Sequence, residues 1–369
     1  MDEDLPASIV LVAQLEGHDD CAWHVAWNPA KPILASCSAD KTVRLYNYHS
    51  TVPPDAGENT DKPTIGFSHT TTIPTGHTKT VRAVAWSPSG TTLATASFDS
   101  NIGIWAQEEE NGGDSGDAAV GAGEWECMSL LEGHETECKS VAYSSSGNLL
   151  ASCSRDKTVW VWEVHPDSDF ECMGVLMEHS QDVKCVVWHP TEEILASASY
   201  DDTIKLYVDD PSEDWFCFQT LTGHSSTVWT LAFSPNGRFL ASGSDDNTIR
   251  IWERVQNHKW ECVSILKGHK RSVYSVSWGK GKSTGDDELG WLASTGGDGT
   301  IFVWKMSATP SSAESGKSTV SHQLIAQLSS AHGVSDVNTI VWCPRSGFED
   351  VLATAGDDGF VKVWKVGPR

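Results

Sequence analysis

Seven histidines in this chain each precede an aspartate at a nearly constant distance, and that recurrence restricts the architecture more than any other feature. The histidines are His18, His77, His134, His179, His224, His269 and His332; the aspartates are Asp40, Asp99, Asp156, Asp201, Asp246, Asp298 and Asp358. The gap is 22 residues in the first five units, 29 in the sixth and 26 in the seventh. A hydroxyl stands four residues before every aspartate (Ser36, Thr95, Ser152, Ser197, Ser242, Ser294, Thr354), and an aromatic stands six after it (Tyr46, Trp105, Trp162, Tyr207, Trp252, Trp304, Trp364). A fixed period of this kind marks equivalent supersecondary units that bury their apolar faces only against one another.

Within each unit, stretches such as LASCSADKTVRLY and LASGSDDNTIRIW read as short β-branched strands joined by an Asp-containing turn, while VAWNP and LAFSPNG end strands in turn chemistry. Each unit therefore supplies a small antiparallel sheet. These residues resemble the WD40 repeat family over essentially the whole chain. The resemblance implies an all-β, seven-bladed propeller with four antiparallel strands per blade, a single domain over residues 1–369. The chain reaches Trp364 one strand short of a seventh blade, and residues 8–15 read as a strand before the first repeat. The N-terminal strand is expected to complete the last blade and so remove an exposed sheet edge.

Ser, His and Asp together are also the groups of acyl-transfer catalysis. Seven equivalent copies argue instead for a buried network in each blade, the aspartate holding the histidine and the hydroxyl linking it to the aromatic. Insertions at 47–69, 107–123 and 305–321 fall between third and fourth strands, and 279–290 falls between a first and a second. Their Gly, Ser, Pro, Asp and Glu content suggests mobile polar loops with no core of their own.

The face carrying the His and Asp loops keeps a regular length, and two positions per blade are expected to project onto it. One lies five residues after the repeat histidine (six in the last unit): Trp23, Arg82, Lys139, Lys184, Trp229, Tyr274 and Asn338. The other lies just before the repeat aspartate: Ala39, Phe98, Arg155, Tyr200, Asp245, Gly297 and Asp357. With 26 Lys+Arg against 50 Asp+Glu, the net charge of −24 disfavours nucleic acid and anionic membranes. Arg82, Lys139, Arg155 and Lys184 beside Phe98 and Tyr200 invert that field in one sector. Arginine among aromatic rings suits docking of an acidic segment or a chain-terminal carboxylate.

Other chemistry is missing. The phosphate-loop imitations at Gly281-Lys282-Ser283 and Gly316-Lys317-Ser318 lack the required earlier glycine, Val276 and Ser311 standing there. Cys127, Cys172, Cys217 and Cys262 each precede a repeat histidine by seven residues, so symmetry spreads them over separate blades, too far apart to share a metal. No pair among the ten cysteines has metal-site spacing, and reduced thiols are expected, with no metal and no cofactor. The opening MDED lacks a cationic leader, which suggests a soluble intracellular chain.

Within the WD40 family the chain resembles the propeller subunit of cytosolic iron-sulfur protein assembly. Residues 153–163 (CSRDKTVWVWE), 182–207 and 226–252 carry that likeness, including the paired Trp160 and Trp162 and the Arg155 turn. The resemblance implies a non-enzymatic scaffold in the cytoplasm, and also the nucleus, that docks a small assembly partner, a HEAT-repeat adaptor and recipient apoproteins. It leaves room for an iron-only-hydrogenase-like cluster carrier. Arg155 is then the first candidate for partner recognition, with Lys139, Arg82 and Lys184 supporting it electrostatically and Tyr200, Phe98, Trp23 and Trp229 supplying aromatic surface. The same platform also suits a substrate receptor of a ubiquitin ligase or a reader of modified peptides.

Overall fold

A computed structural model describes residues 5–51, 64–107, 123–165, 169–210, 214–282, 288–309 and 318–369. Those residues form seven four-stranded antiparallel sheets and no helix, arranged as a seven-bladed propeller. The first blade runs Ala22–Trp27, Ile33–Ser38, Thr42–Thr51 and Thr64–Pro74 in spatial order, and the next five repeat that order. In the seventh, Val337–Trp342, Val351–Gly356 and Val361–Pro368 are joined by Ala7–Leu15, which pairs antiparallel with the last strand from Ala7 opposite Pro368 to Leu15 opposite Val361. The expected closure is present.

A twisted sheet with two apolar faces needs a neighbour on each side, and each adjacent pair of blades encloses one hydrophobic cluster. The tryptophan ending a first strand reaches across such a boundary: Trp86 Nε1 donates to the Ala26 carbonyl at 3.1 Å and Trp188 Nε1 to that of Ala142 at 3.0 Å. Around the central channel a second set of links joins first strands. The Thr230 hydroxyl accepts the Val276 N–H at 3.2 Å, the Ser275 hydroxyl that of Ile340 at 3.1 Å, and the Ser140 hydroxyl that of Val186 at 3.3 Å. His24 takes the same place in blade one, 3.5 Å from the Val84 N–H; burial pushes its pKa down to about 4, leaving a neutral ring able to accept.

The insertions are more ordered at their bases than their composition suggests. In blade one the third and fourth strands continue to Thr51 and start at Thr64, placing Tyr48 in the core against Trp27 at 5.1 Å, Phe67 at 5.6 Å and Phe348 at 5.4 Å. Met306 is likewise buried, on a strand running to Thr309. Polar anchors add to this, with Lys282 pairing with buried Asp350, and Glu253 accepting from Arg238 and from the Ser318 N–H. Aromatic and aliphatic residues at every second position let these hairpins extend the sheet. The central parts of the insertions lie outside the described residues.

Candidate partner-docking face

Each blade's second and third strands are joined by a turn in which the residue after the repeat aspartate is left-handed, from Asn247 at φ 64° to Ser100 at 78°. The aspartate makes that turn tolerable by accepting the N–H two residues on, at 2.9–3.1 Å in all seven blades. Its carboxylate also meets the repeat histidine Nδ1 at 2.7–3.0 Å, and the histidine Nε2 meets the Ser/Thr hydroxyl at 2.7–2.9 Å. Burial opposes ionisation of these carboxyls, but the histidine, hydroxyl and backbone donors outweigh it and hold all seven below the usual carboxylate range. The aromatic completes the chain in five blades, through Trp105, Trp162, Tyr207, Trp252 and Trp364. Trp304 Nε1 and the Tyr46 hydroxyl are buried with no hydrogen-bond partner among the described residues. The glycine before the histidine fits the same crowding: Gly223 has φ +154° and a Cβ there would meet Arg250 at 2.9 Å.

The projecting positions have a local cause. In every first strand the register with the second skips one residue, and those unpaired residues are Trp23, Arg82, Lys139, Lys184, Trp229, Tyr274 and Asn338. A β-bulge turns the extra side chain out of the pleat, here into the mouth of the channel. All seven line one cavity of ≈ 260 Å³, together with Phe98, Asp336 and Asp357.

The cations there are arranged differently from a bare positive crown. Lys139 sits 4.0 Å from the centre of the Phe98 ring and pairs with Glu137; its side chain is only 14% exposed, and burial draws its pKa below the usual lysine range against the pull of Glu137. Lys184, 11% exposed, lies between Tyr200 and Trp229 at 5.3 and 5.0 Å and pairs with Asp182 at 3.3 Å. Arg82 stacks over Trp23 at 4.8 Å, and burial lowers its pKa. Arg155 is the projecting cation of this sector, 58% exposed, its guanidinium 3.6 Å from Glu137 and 3.9 Å from Asp182. Tyr200 beside it is 55% exposed. Next to Lys184 in the following blade, Trp229 Nε1 donates to Asp245 at 2.6 Å.

Seven stretches of the chain match the family model described as WD domain, G-beta repeat: residues 9–47, 68–106, 125–163, 170–207, 215–253, 260–305 and 323–365. The chain belongs to the WD40 family. Curated relatives of this WD40 chain include the "Probable cytosolic iron-sulfur protein assembly protein 1" of Cryptococcus neoformans, 42% identical over 96% of this chain and 98% of that protein. The protein of the same name from Mycosarcoma maydis is 52% identical over 44% of this chain and 39% of that protein, and the one from Malassezia globosa 56% identical over 29% and 30%.

Glu137 and Asp182 were not singled out from the WD40 sequence, although a signal existed. Each stands two residues before the lysine it neutralises, immediately ahead of the first strand of its blade. The recurrent cysteines also find a place. Each fourth strand carries one extra residue against the third, and Cys127, Cys172, Cys217 and Cys262 immediately precede it. Each thiol donates to the carbonyl two residues on, at 3.4–3.9 Å, near the break in the ladder. Among the described residues the group with metal-like spacing is instead Glu163, His165 and Glu171 on the rim of blade three. No helix of the described residues is long and apolar enough to cross a membrane.

Proposed function

We propose that this WD40 protein is a non-enzymatic scaffold of cytosolic iron-sulfur protein assembly, whose channel-mouth face docks a small assembly partner, a HEAT-repeat adaptor and recipient apoproteins. The observation that carries the reading is the near full-length match to a relative named for that process. The same name favours a cytosolic site of action. The geometry supports docking over turnover, because the polar groups that could do acid–base chemistry recur in every blade and are occupied with one another.

Arg155 is the residue we assign to partner recognition, with Arg82, Lys139 and Lys184 setting the field and Phe98, Tyr200, Trp23 and Trp229 forming the aromatic surround. Its two ion pairs are longer than hydrogen bonds, so its N–H donors remain available for the two parallel bonds that a carboxylate accepts. A scaffold of this kind speeds transfer by raising the effective concentration of donor and acceptor, with the cluster as cargo. Replacing Arg155 with Ala should weaken recipient binding by about 1.5–3 kcal/mol, the range for a hydrogen bond to a charged group, and leave the thermal midpoint nearly unchanged because exposed pairs contribute little. The test is quantitative mass spectrometry of proteins co-purifying with wild type and Arg155→Ala. Iron-sulfur enzymes lost from the variant, with assembly factors retained, support both function and site. Unaltered recovery removes Arg155, and recovery of cullin-type subunits or chromatin instead of iron-sulfur proteins overturns the function.

A further inference from the structure

The cavity at the channel mouth has an internal charge balance that leaves two groups over. Lys139 is matched by Glu137, Lys184 by Asp182, and Asp336 by Arg271 at 3.7 Å. Among the described residues no carboxylate lies within 4.0 Å of the Arg82 guanidinium, whose near neighbour is the face of Trp23. Among the described residues no cation lies within 4.0 Å of the Asp357 carboxylate either, and its one side-chain donor there is the Asn338 amide at 2.8 Å. Arg82 belongs to blade two, Trp23 to blade one and Asp357 to blade seven, so an unmatched cation, stacked on the Trp23 indole, and an unmatched anion line the same ≈ 260 Å³ space from the two blades adjoining blade one.

We infer that the channel mouth reads a pair of opposite charges on one partner segment, a carboxylate set against Arg82 and an ammonium or guanidinium set against Asp357, with an apolar side chain between them on Trp23. The size fits: small-molecule sites begin near 300 Å³, so this space takes one or two side chains of a longer chain. The electrostatics fit as well. A lone carboxylate would leave Asp357 repelled, and a lone cation would leave Arg82 repelled, whereas a segment carrying both satisfies each wall and is oriented by doing so. Like-charge contact at a partly buried site discriminates against wrong partners more than matched contact adds affinity. The inference rests on the reading of this face as a docking surface and names the chemistry of what docks there. It assigns Asp357 a part in specificity that the cationic sector alone does not have.

The test uses the full chain and four fluorescein-labelled, acetylated and amidated decapeptides in a Gly/Ser background, containing Glu-Leu-Lys, Gln-Leu-Lys, Glu-Leu-Gln or the reversed Lys-Leu-Glu, titrated by fluorescence anisotropy at 50 mM and 200 mM salt. Glu-Leu-Lys or its reversal is expected to bind at least tenfold tighter than either single-charge peptide. Asp357→Asn should reduce that peptide's affinity about tenfold while leaving the Glu-Leu-Gln affinity unchanged or raised, because the mutation also relieves repulsion of a lone carboxylate; the loss is specific to the peptide lysine. Arg82→Lys, which keeps the charge and spares the fold, should weaken all three carboxylate-bearing peptides and leave Gln-Leu-Lys unchanged. Failure of all four peptides to bind by 1 mM, equal binding of all four, or an equal loss on both peptides in Asp357→Asn overturns the inference. Arg155→Ala is titrated in parallel. Unaltered affinities there, with the Asp357 coupling intact, remove the Arg155 assignment and leave this inference standing. Arg155-sensitive binding with no Asp357 coupling does the reverse.

Discussion

Substituting Asp201 with Ala should cost about 3–4.5 kcal/mol of stability, and the figure follows from what its carboxylate holds. It accepts from His179 Nδ1 at 2.8 Å, the Ser180 N–H at 3.0 Å, the Thr203 N–H at 3.1 Å and the Thr203 hydroxyl at 2.6 Å. His179 is buried and would lose its charged partner, worth about 1.5–3 kcal/mol. The other three donors lie nearer water and recover part of their bonding, so roughly 0.5 kcal/mol each is reasonable. The sum is a large share of the ~5–15 kcal/mol by which a folded protein exceeds its unfolded chain. Urea unfolding followed by tryptophan fluorescence measures it, and Asp246→Ala, with the equivalent contacts in blade five, should give a similar loss. The pH dependence has a definite sign. Because the folded state holds the Asp201 carboxyl below its ordinary value, the stabilisation is complete above about pH 4 and is lost as pH falls further, through the lowered folded value. The gap between wild type and Asp201→Asn should therefore narrow only below about pH 4. A cost under ~1 kcal/mol, or a gap that closes nearer neutrality, would refute the assignment of this network to stability.

Three further outcomes test the architecture. Deleting residues 1–15 should expose the edge of Val361–Pro368 and produce aggregation in size-exclusion chromatography; a monomer of undiminished thermal midpoint would show that the closing strand is dispensable. Tyr48→Ala should destabilise by about 3–5 kcal/mol in chemical unfolding, as loss of a buried aromatic does, whereas a change near zero would return that hairpin to the status of a surface loop. Titration with Ellman's reagent should show Cys127 and Cys172 reacting first, slowly because burial raises both thiols, while Cys37, Cys138, Cys153 and Cys343 wait for denaturant. Rapid reaction of the buried four in native buffer would contradict their placement.

The chain's own order of residues determined the number of blades, the His, Ser/Thr and Asp positions and the closing strand, because each depends on a spacing repeated seven times along the backbone. Residue identity likewise placed Trp23, Arg82, Lys139 and Lys184 at equivalent points. What those side chains do there was decided in three dimensions. Lys139 and Lys184 are held by Glu137 and Asp182, Arg155 reaches solvent between the same two acids, and Arg82 and Asp357 are left unmatched in the cavity that Trp23 also lines. Tyr48 in an insertion enters a core that draws on the last blade. Periodicity is a property of one strand and its turn, readable locally. Burial of Tyr48 against Phe348 and the charge left over between Arg82 and Asp357 depend on residues more than two hundred positions apart, which only ring closure brings together.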